Sequence, residues 1–348
     1  MGVVHRPNRI DWHNRGLNYS VILARNGAEI LGVVHLSRGG NTARLPGRTI
    51  AVVGPTAAGK TALSIAVAHT LDGEVINADS MQLYEGMDIG TAKADLTERD
   101  GVPHHLFDIW DCTVSADVAS YQKLARAAID EVSSRGKQPL LVGGSGLYIQ
   151  AVLDEFNFPG TDPEIRSRWE ARLQEVGADA LHAELAARDA KAAEAILPSN
   201  GRRIVRALEV IELTGSFVAA LPEPREEYPA VRIGIDLDTA QLDHRIELRV
   251  ERMWEAGLVE EVRQLASRGL GEGKTASRAL GYKQVLEFLA GKCSEEEAKL
   301  ATVVGTRRFV RRQRSWFKRD KRITWFDGSD ADLLEKVLEH LETHAIQI

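Results

Sequence analysis

Cysteine is scarce in this 348-residue chain: Cys112 and Cys293 stand far apart, and no CxxC pair exists. That excludes a zinc ribbon and a dithiol redox motif, and leaves two ordinary reduced thiols as the expectation. No apolar run approaches the roughly 20 residues that a membrane span needs, so no membrane role is expected. Positive charge is not in excess. The net charge is −6, which argues against a generic nucleic-acid binder. There is no internal repeat and no low-complexity tract. What the chain does have is length. With 348 residues, 44% of them hydrophobic, it can bury a substantial core in one large domain or two modest ones.

The charge is unevenly placed. Residues 306–322 carry nine Arg or Lys and one acid, Asp320. Such a run suits either a solvated helix face or a localised polyanion contact. The first 48 residues hold seven Arg, no Lys and two acids, Asp11 and Glu29. Their apolar stretches, 21–24 and 30–34, are too short for a signal-peptide core. This extension is expected to be poorly ordered, and no function is assigned to it.

Residues 49–53 form a β-branched run ending at a glycine, which reads as a buried parallel strand. Helical spacing follows, with Leu63, Val67 and Leu71 at every fourth position. Further strands are expected at 74–78, 106–109, 139–142, 231–237 and 323–326. Helices are expected at 118–135 and 147–153. Between 162 and 215 the strand signals stop, and helices are expected at 166–176, 179–188, 190–196 and 202–213. Beyond, helices are expected at 242–256, 260–267, 276–289, 295–314 and 331–344. Alternating strands and helices imply a parallel sheet flanked by helices. The fold expected is α/β: a P-loop NTPase-like core (49–160 and 216–348) with a helical insertion domain (161–215).

Gly54, Pro55, Thr56, Ala57, Ala58, Gly59, Lys60 and Thr61 fit GxxxxGK[ST] without a mismatch. The strand before and the helix after are the context its mechanism requires. The glycines let the backbone curl so that N–H groups point at phosphate oxygens, and the helix adds its positive N-terminal end. Lys60 brings a full charge, and Thr61 offers a hydroxyl to Mg²⁺. The loop alone first suggests ATP or GTP, since such loops serve NTPases and kinases alike. No apolar strand ends in an acidic pair of the Walker-B kind, however. Residues 140–142 run into Gly143, Gly144 and Ser145 instead.

The loop is followed by INADSMQLYEGMDIGTAK (76–93), PHHLFDI (103–109), PLLVGGSGLYI (139–149), DPEIR (162–166), RRIVRALEV (202–210), ALGYKQ (279–284) and TRRFVRRQRSWF (306–317). In these motifs the chain resembles the tRNA dimethylallyltransferase (tRNA isopentenyltransferase) family over roughly residues 49–327. Ser145 stands where many members carry Thr. No C-terminal zinc finger is present, so the resemblance is to the compact bacterial type. It implies transfer of a dimethylallyl group from dimethylallyl diphosphate to N6 of the adenosine just 3′ of the anticodon, in tRNAs reading codons that begin with U. Diphosphate leaves. The implied partners are that donor and the tRNA anticodon stem-loop. The implied setting is the cytoplasm, the cofactor Mg²⁺, and the state a monomer.

On this reading Lys60 and Thr61 stabilise the leaving diphosphate, with Thr56 and Arg278 as donor contacts and Thr61 as the Mg²⁺ ligand. For Arg278 a surface salt bridge is an equal alternative. The resemblance casts Asp79, just past the second strand, as general base. The alternatives are an Asp that holds Mg²⁺ through water or caps the next turn. Contacts with tRNA are implied for Asp79, Ser80, Met81, Gln82, Ser145, Arg166, Arg202, Arg203, Ile204, Val205 and Arg206. Arg202, Arg203 and Arg206 are three and four apart on one helix, which gathers their guanidinium groups. Two other readings compete: an adenylate isopentenyltransferase acting on free nucleotide, and a P-loop kinase. The helical insertion and the basic run at 306–322 suit a macromolecular acceptor.

Overall fold

The computed structural model describes residues 8–14, 17–26, 29–35, 45–156, 158–218 and 224–345. The chain divides into two compact units, one made of residues 1–153 and 226–348, the other of Asp154–Arg225.

The first unit opens with β1 (Asn8–Asn14), β2 (Leu17–Asn26) and β3 (Glu29–His35), an antiparallel sheet of its own. The apolar stretches too short for a signal peptide are strand-length, and they face each other, with Val21 opposite Val34 and Ile22 opposite Val33.

The main sheet begins at β4 (Thr49–Val53), followed by α1 (Lys60–Leu71), β5 (Gly73–Asn77), β6 (His104–His105), α2 (Val118–Ser134), β7 (Gln138–Gly143) and α3 (Gly146–Leu153). After the second unit come β8 (Ala230–Asp236), α4 (Thr239–Glu255), α5 (Leu258–Ser267), α6 (Tyr282–Leu289), α7 (Glu295–Phe317), β9 (Ile323–Asp327) and α8 (Leu333–Ala345). The strand order is β6-β5-β7-β4-β8-β9, and every pairing is parallel. Period-two alternation sends Ile50 and Val52 to one face, with Leu63, Val67, Ile246 and Leu341, and Ala51 and Val53 to the other, with Tyr121, Ile129 and Val152. Both faces are covered, so the central strands are mostly apolar. Each fully buried aliphatic side chain there contributes about 1.5–3 kcal/mol.

Two expected elements differ. The strand expected at 106–109 lies at His104–His105 instead, because Leu106 and Asp108 take positive φ values of 63° and 55° and leave the extended region. The helix expected at 276–289 is a short 3₁₀ turn, Ala276–Arg278, and then α6, separated by Gly281 at φ 86°.

The second unit is all-helical and wider than the 161–215 expected for the insertion. Residues Pro163–Arg188 are helical on both sides of Gly177, whose φ of 80° and ψ of 171° break the run. Asp162 caps its start by accepting from the N–H groups of Glu164 and Ile165. A short helix, Ala190–Glu194, and a longer one, Gly201–Thr214, pack on it around Trp169, Leu181, Leu185, Ile204, Val205 and Leu208. One charged group sits among them. Glu209 is 0% exposed. It accepts from Arg166 Nε (3.0 Å) and Nη2 (2.7 Å), Arg206 Nη1 (2.9 Å) and the N–H of Asp162 (3.1 Å).

Two stability predictions follow from this packing. Glu209→Gln removes the charge that two guanidinium groups share, and is expected to cost about 3 kcal/mol, read by hydrogen exchange of the Gly201–Thr214 amides. Gly54 has φ 143°, and a Cβ there would lie 2.2 Å from the carbonyl oxygen of Ile235. Gly54→Ala is therefore expected to destabilise by at least ~2 kcal/mol in urea titration. Gly271→Ala, where nothing lies within 4 Å, is expected to stay within about 1 kcal/mol.

Candidate active site

In an open parallel sheet, ligands lie beyond the carboxyl ends of the strands. Here β4 runs out into residues 54–61, β5 into 78–82 and β7 into 144–145. Gly54, Ala57 and Gly59 take φ values of 143°, 68° and 102°, which curl the first of these segments. Gly59 is the N-cap of α1 and offers no side-chain cap. The first-turn amide groups of α1 therefore have no intrahelical acceptor and are open to an anion.

Lys60 is half-buried, and its Nζ donates to the carbonyl of Pro55 at 2.8 Å. Burial pulls its pKa down to about 8; the Asp79 carboxylate opposes this and the Arg249 guanidinium adds to it. Arg249, on α4, is lowered too, by burial against the pull of Asp79 and Glu98. Two cations thus share one nearby carboxylate, and an anion would complete the set. Arg249 and its neighbour one turn earlier, Arg245, were missed from sequence. Arg245 Nη1 donates to the Ala57 carbonyl at 3.3 Å and Arg249 Nη2 to that of Thr91 at 3.4 Å. Their i,i+4 spacing beside the core positions Leu242, Ile246 and Val250 was the available signal.

Gln313, 5% exposed on α7, ties the loop to β7. Its Oε1 accepts from the N–H of Thr56 and its Nε2 donates to the Gly144 carbonyl, both at 2.9 Å. The Thr56 amide is thereby engaged, leaving its hydroxyl for a donor. The missing acid of β7 has a steric cause. A Cβ at Gly143 would meet the Ala78 carbonyl oxygen at 2.2 Å, and one at Gly144 would meet Gln313 Nε2 at 2.3 Å.

Asp79 follows β5 in a half-buried position. Its N–H donates to Asn77 Oδ1 (2.9 Å), and its Oδ1 accepts from the Met81 N–H (3.0 Å). The turn-capping alternative therefore describes one carboxylate oxygen. The other, Oδ2, accepts no hydrogen bond from the described residues. The Ser80 N–H donates to Ser145 Oγ at 3.2 Å, and the two hydroxyls are 3.3 Å apart, so the ends of β5 and β7 meet. Gln82 shares a cleft with Thr61, Ser64, Asn77, His104 and Phe107. Its Nε2 donates to the Thr91 and Ala92 carbonyls at 3.2 and 3.3 Å, so its oxygen is what remains for a ligand. Met81 is half-buried and packs on Tyr84 and its neighbours.

The remaining site residues divide. Arg278 is exposed, and its guanidinium makes no hydrogen bond or ion pair among the described residues. In the helical unit Arg202 and Arg203 are exposed, whereas Arg166 and Arg206 are committed to Glu209. Ile204 and Val205 turn their side chains inward. They are 0% and 4% exposed in that unit's core, where a helix buries one face in three or four positions. The basic run is split as well. Arg307 and Arg311 pair with Asp243, Arg314 with Asp236 and Arg322 with Asp320. Arg308, Arg312, Lys318, Arg319 and Lys321 stay exposed without an ion pair among the described residues.

Among the described residues no three His, Cys, Asp or Glu side chains gather as a metal site. The exposed Thr61 hydroxyl at the uncapped start of α1 still fits Mg²⁺, which is held by one or two protein ligands with substrate oxygens and water. No helix among the described residues is long and apolar enough to cross a membrane.

A family model described as IPP transferase matches residues 82–320. The tRNA dimethylallyltransferase of Salinispora arenicola is 64% identical over 300 residues, 86% of this chain and 88% of that one. That of Thermobifida fusca is 60% identical over 301 residues, 84% and 94% of the two chains. Among solved structures, the tRNA isopentenylpyrophosphate transferase of Bacillus halodurans is 42% identical with a TM-score of 0.66, covering 86% of this chain and 97% of that one. A eukaryotic dimethylallyltransferase acting on tRNA is 26% identical with a TM-score of 0.71, covering 86% and 77%. By that family model and these sequence identities, the chain belongs to the IPP transferase family.

Proposed function

We propose that the protein transfers a dimethylallyl group from dimethylallyl diphosphate to N6 of the adenosine 3′-adjacent to the anticodon, in tRNAs reading codons that begin with U. The product is N6-dimethylallyladenosine. The observation that carries this reading is that Lys60, at the start of α1, and Arg249, on α4, are both drawn from water beside Asp79, next to β7, whose end at Gly143 and Gly144 leaves no room for an acid. Such a site suits an anionic leaving group more than water activation for NTP hydrolysis.

The allylic C–O bond breaks, and the electron pair leaves with the diphosphate. The α1 amides, Lys60 and Arg249 hold that charge in place, with Thr56 and Arg278 as further contacts. An anion there restores the proton that burial weakens on Lys60. Mg²⁺, bound through Thr61, would neutralise diphosphate charge. The N6 lone pair forms the new bond to the allyl carbon. Its proton passes to Asp79, whose free Oδ2 is the acceptor. The adenine must leave its stack to reach this point. Ser80, Met81, Gln82 and Ser145 would line its path, with the Gln82 oxygen able to accept from an adenine amine.

In the helical unit Arg202 and Arg203 are suited to anticodon-stem phosphates. Glu209 would hold Arg166 in fixed orientation, so that its outward N–H groups serve the same end, while Arg206 is also bonded to the Pro159 and Gly160 carbonyls. Arg308, Arg312, Lys318, Arg319 and Lys321 add a second phosphate-facing surface. We place the reaction in the cytoplasm, with the protein as a monomer.

Incubation with labelled dimethylallyl diphosphate, Mg²⁺ and either tRNA or AMP, without ATP, is expected to label tRNA. Label in AMP would mean an adenylate isopentenyltransferase, and label in neither would reopen a kinase. Asp79→Asn keeps an acceptor for the Met81 N–H, so it is expected to lower kcat by ~10²–10⁴-fold with tRNA affinity nearly intact. Loss of affinity with little loss of turnover would sink the base assignment. Converting both Arg202 and Arg203 to Ala should reduce the slope of log K against log salt by about 1–2; an unchanged slope would remove them from the RNA surface.

A further inference from the structure

We infer that Glu261 is a positioning residue for the transfer site, fixing the 88–93 loop whose carbonyls hold Gln82 and Arg249. The inference rests on the reaction proposed above. Glu261 lies on α5 and touches no predicted substrate position. Its Oε2 accepts from the N–H groups of Asp88 (3.1 Å) and Ile89 (2.7 Å), and its Oε1 from that of Gly90 (3.2 Å). Three consecutive amides converging on one carboxylate form an anion nest, here filled by the protein's own side chain. The Tyr282 hydroxyl, from α6, donates to the same Oε1 at 2.5 Å. Burial and the Glu261 charge both push that hydroxyl's pKa up, so it remains a donor.

The loop has little room to settle elsewhere. A Cβ on Gly90 would lie 2.4 Å from the Tyr282 ring, so the backbone rests directly on that ring. Thr91 Oγ1 donates back to the Met87 carbonyl at 2.6 Å. The buried Lys93 Nζ closes the far end on the Tyr84 carbonyl (2.8 Å), Asp88 (2.7 Å) and Asp108 (2.5 Å). Between these anchors the Thr91 carbonyl receives both Gln82 Nε2 (3.2 Å) and Arg249 Nη2 (3.4 Å). Gln82 neighbours the turn of Asp79, and Arg249 couples electrostatically to Lys60. One carboxylate on a helix outside the site thus sets the orientation of a group on the acceptor side and one on the diphosphate side.

A role confined to stability and a role in positioning separate kinetically. Glu261→Gln keeps the shape but weakens the nest, because a neutral amide oxygen is a poorer acceptor than a carboxylate. It is expected to lower kcat/KM for dimethylallyl diphosphate by ~10–100-fold, and to weaken binding of inorganic diphosphate with Mg²⁺ severalfold. The tRNA dissociation constant should stay within about twofold, since the phosphate-contacting arginines lie elsewhere. Tyr282→Phe, which removes one bond and preserves the ring under Gly90, is expected to change the same parameters less. The double variant should be no worse than Glu261→Gln alone, because both act through one network. Glu260→Gln, an exposed neighbour paired with Arg263, is the unaffected control.

The inference is overturned if Glu261→Gln and Tyr282→Phe lower the melting temperature but leave donor kcat/KM and diphosphate binding at wild-type values well below melting. It is equally overturned if tRNA affinity falls as much as donor efficiency. If Glu261→Gln fails to fold, Tyr282→Phe alone decides. Absence of transfer in the wild-type protein would refute the proposed reaction instead, and diphosphate binding by the variants would then still decide whether Glu261 positions the loop.

Discussion

The arrangement depends on a charge imbalance. Lys60 and Arg249 are drawn from water at the carboxyl edge of the sheet, with Asp79 as their shared counter-charge. Desolvation of two cations is costly unless an anion joins them. In the ligand-free protein the cost shows as a Lys60 amine lowered to about 8 and bonded to the Pro55 carbonyl. Between about pH 8 and the ordinary lysine value of 10.5, the unfolded chain keeps a proton that the native chain has shed. This residue therefore adds stability as pH rises through that window. Binding a polyanion reverses the shift and turns the destabilised charge into affinity.

The fold supplies the rigidity this requires. The loop and the turn of Asp79 leave strands β4 and β5, both buried on each face, with β7 between them. Gln313 fastens the loop to β7 through Thr56 and Gly144. Glu261 fastens the 88–93 loop from the other side. In the helical unit Glu209 plays a comparable part for Arg166 and Arg206. Apart from the Glu209–Arg206 contact, three residues apart on one helix, each of these acceptors or donors is remote in sequence from what it holds. Each lets a flexible side chain or loop adopt one orientation before a substrate arrives, which lowers the entropic cost of the productive geometry.

That remoteness explains what the sequence made legible. The turn from β4 into α1 could be read because its requirements are local: glycines at fixed spacing, a strand before and a helix after. The sheet could be read because buried parallel strands are continuous apolar runs. The strand at His104–His105 was misplaced because Leu106 and Asp108 carry no residue-level sign of their positive φ. Arg249, Gln313, Glu261 and Glu209 were not legible, since an ionisable or amide residue on an amphipathic helix looks solvated until its partner is placed. Ile204 and Val205 show the limit of a contiguous motif, since helical periodicity turns those two side chains inward.

Titration of the Lys60 ε-amine by NMR, with and without inorganic diphosphate and Mg²⁺, addresses the central claim most directly. A midpoint near pH 8 in the ligand-free protein, moving upward by at least ~1 unit when diphosphate binds, is the predicted result. A midpoint already at the ordinary lysine value and indifferent to diphosphate would contradict it. The loop would then not be the cationic cradle on which the rest of the account depends.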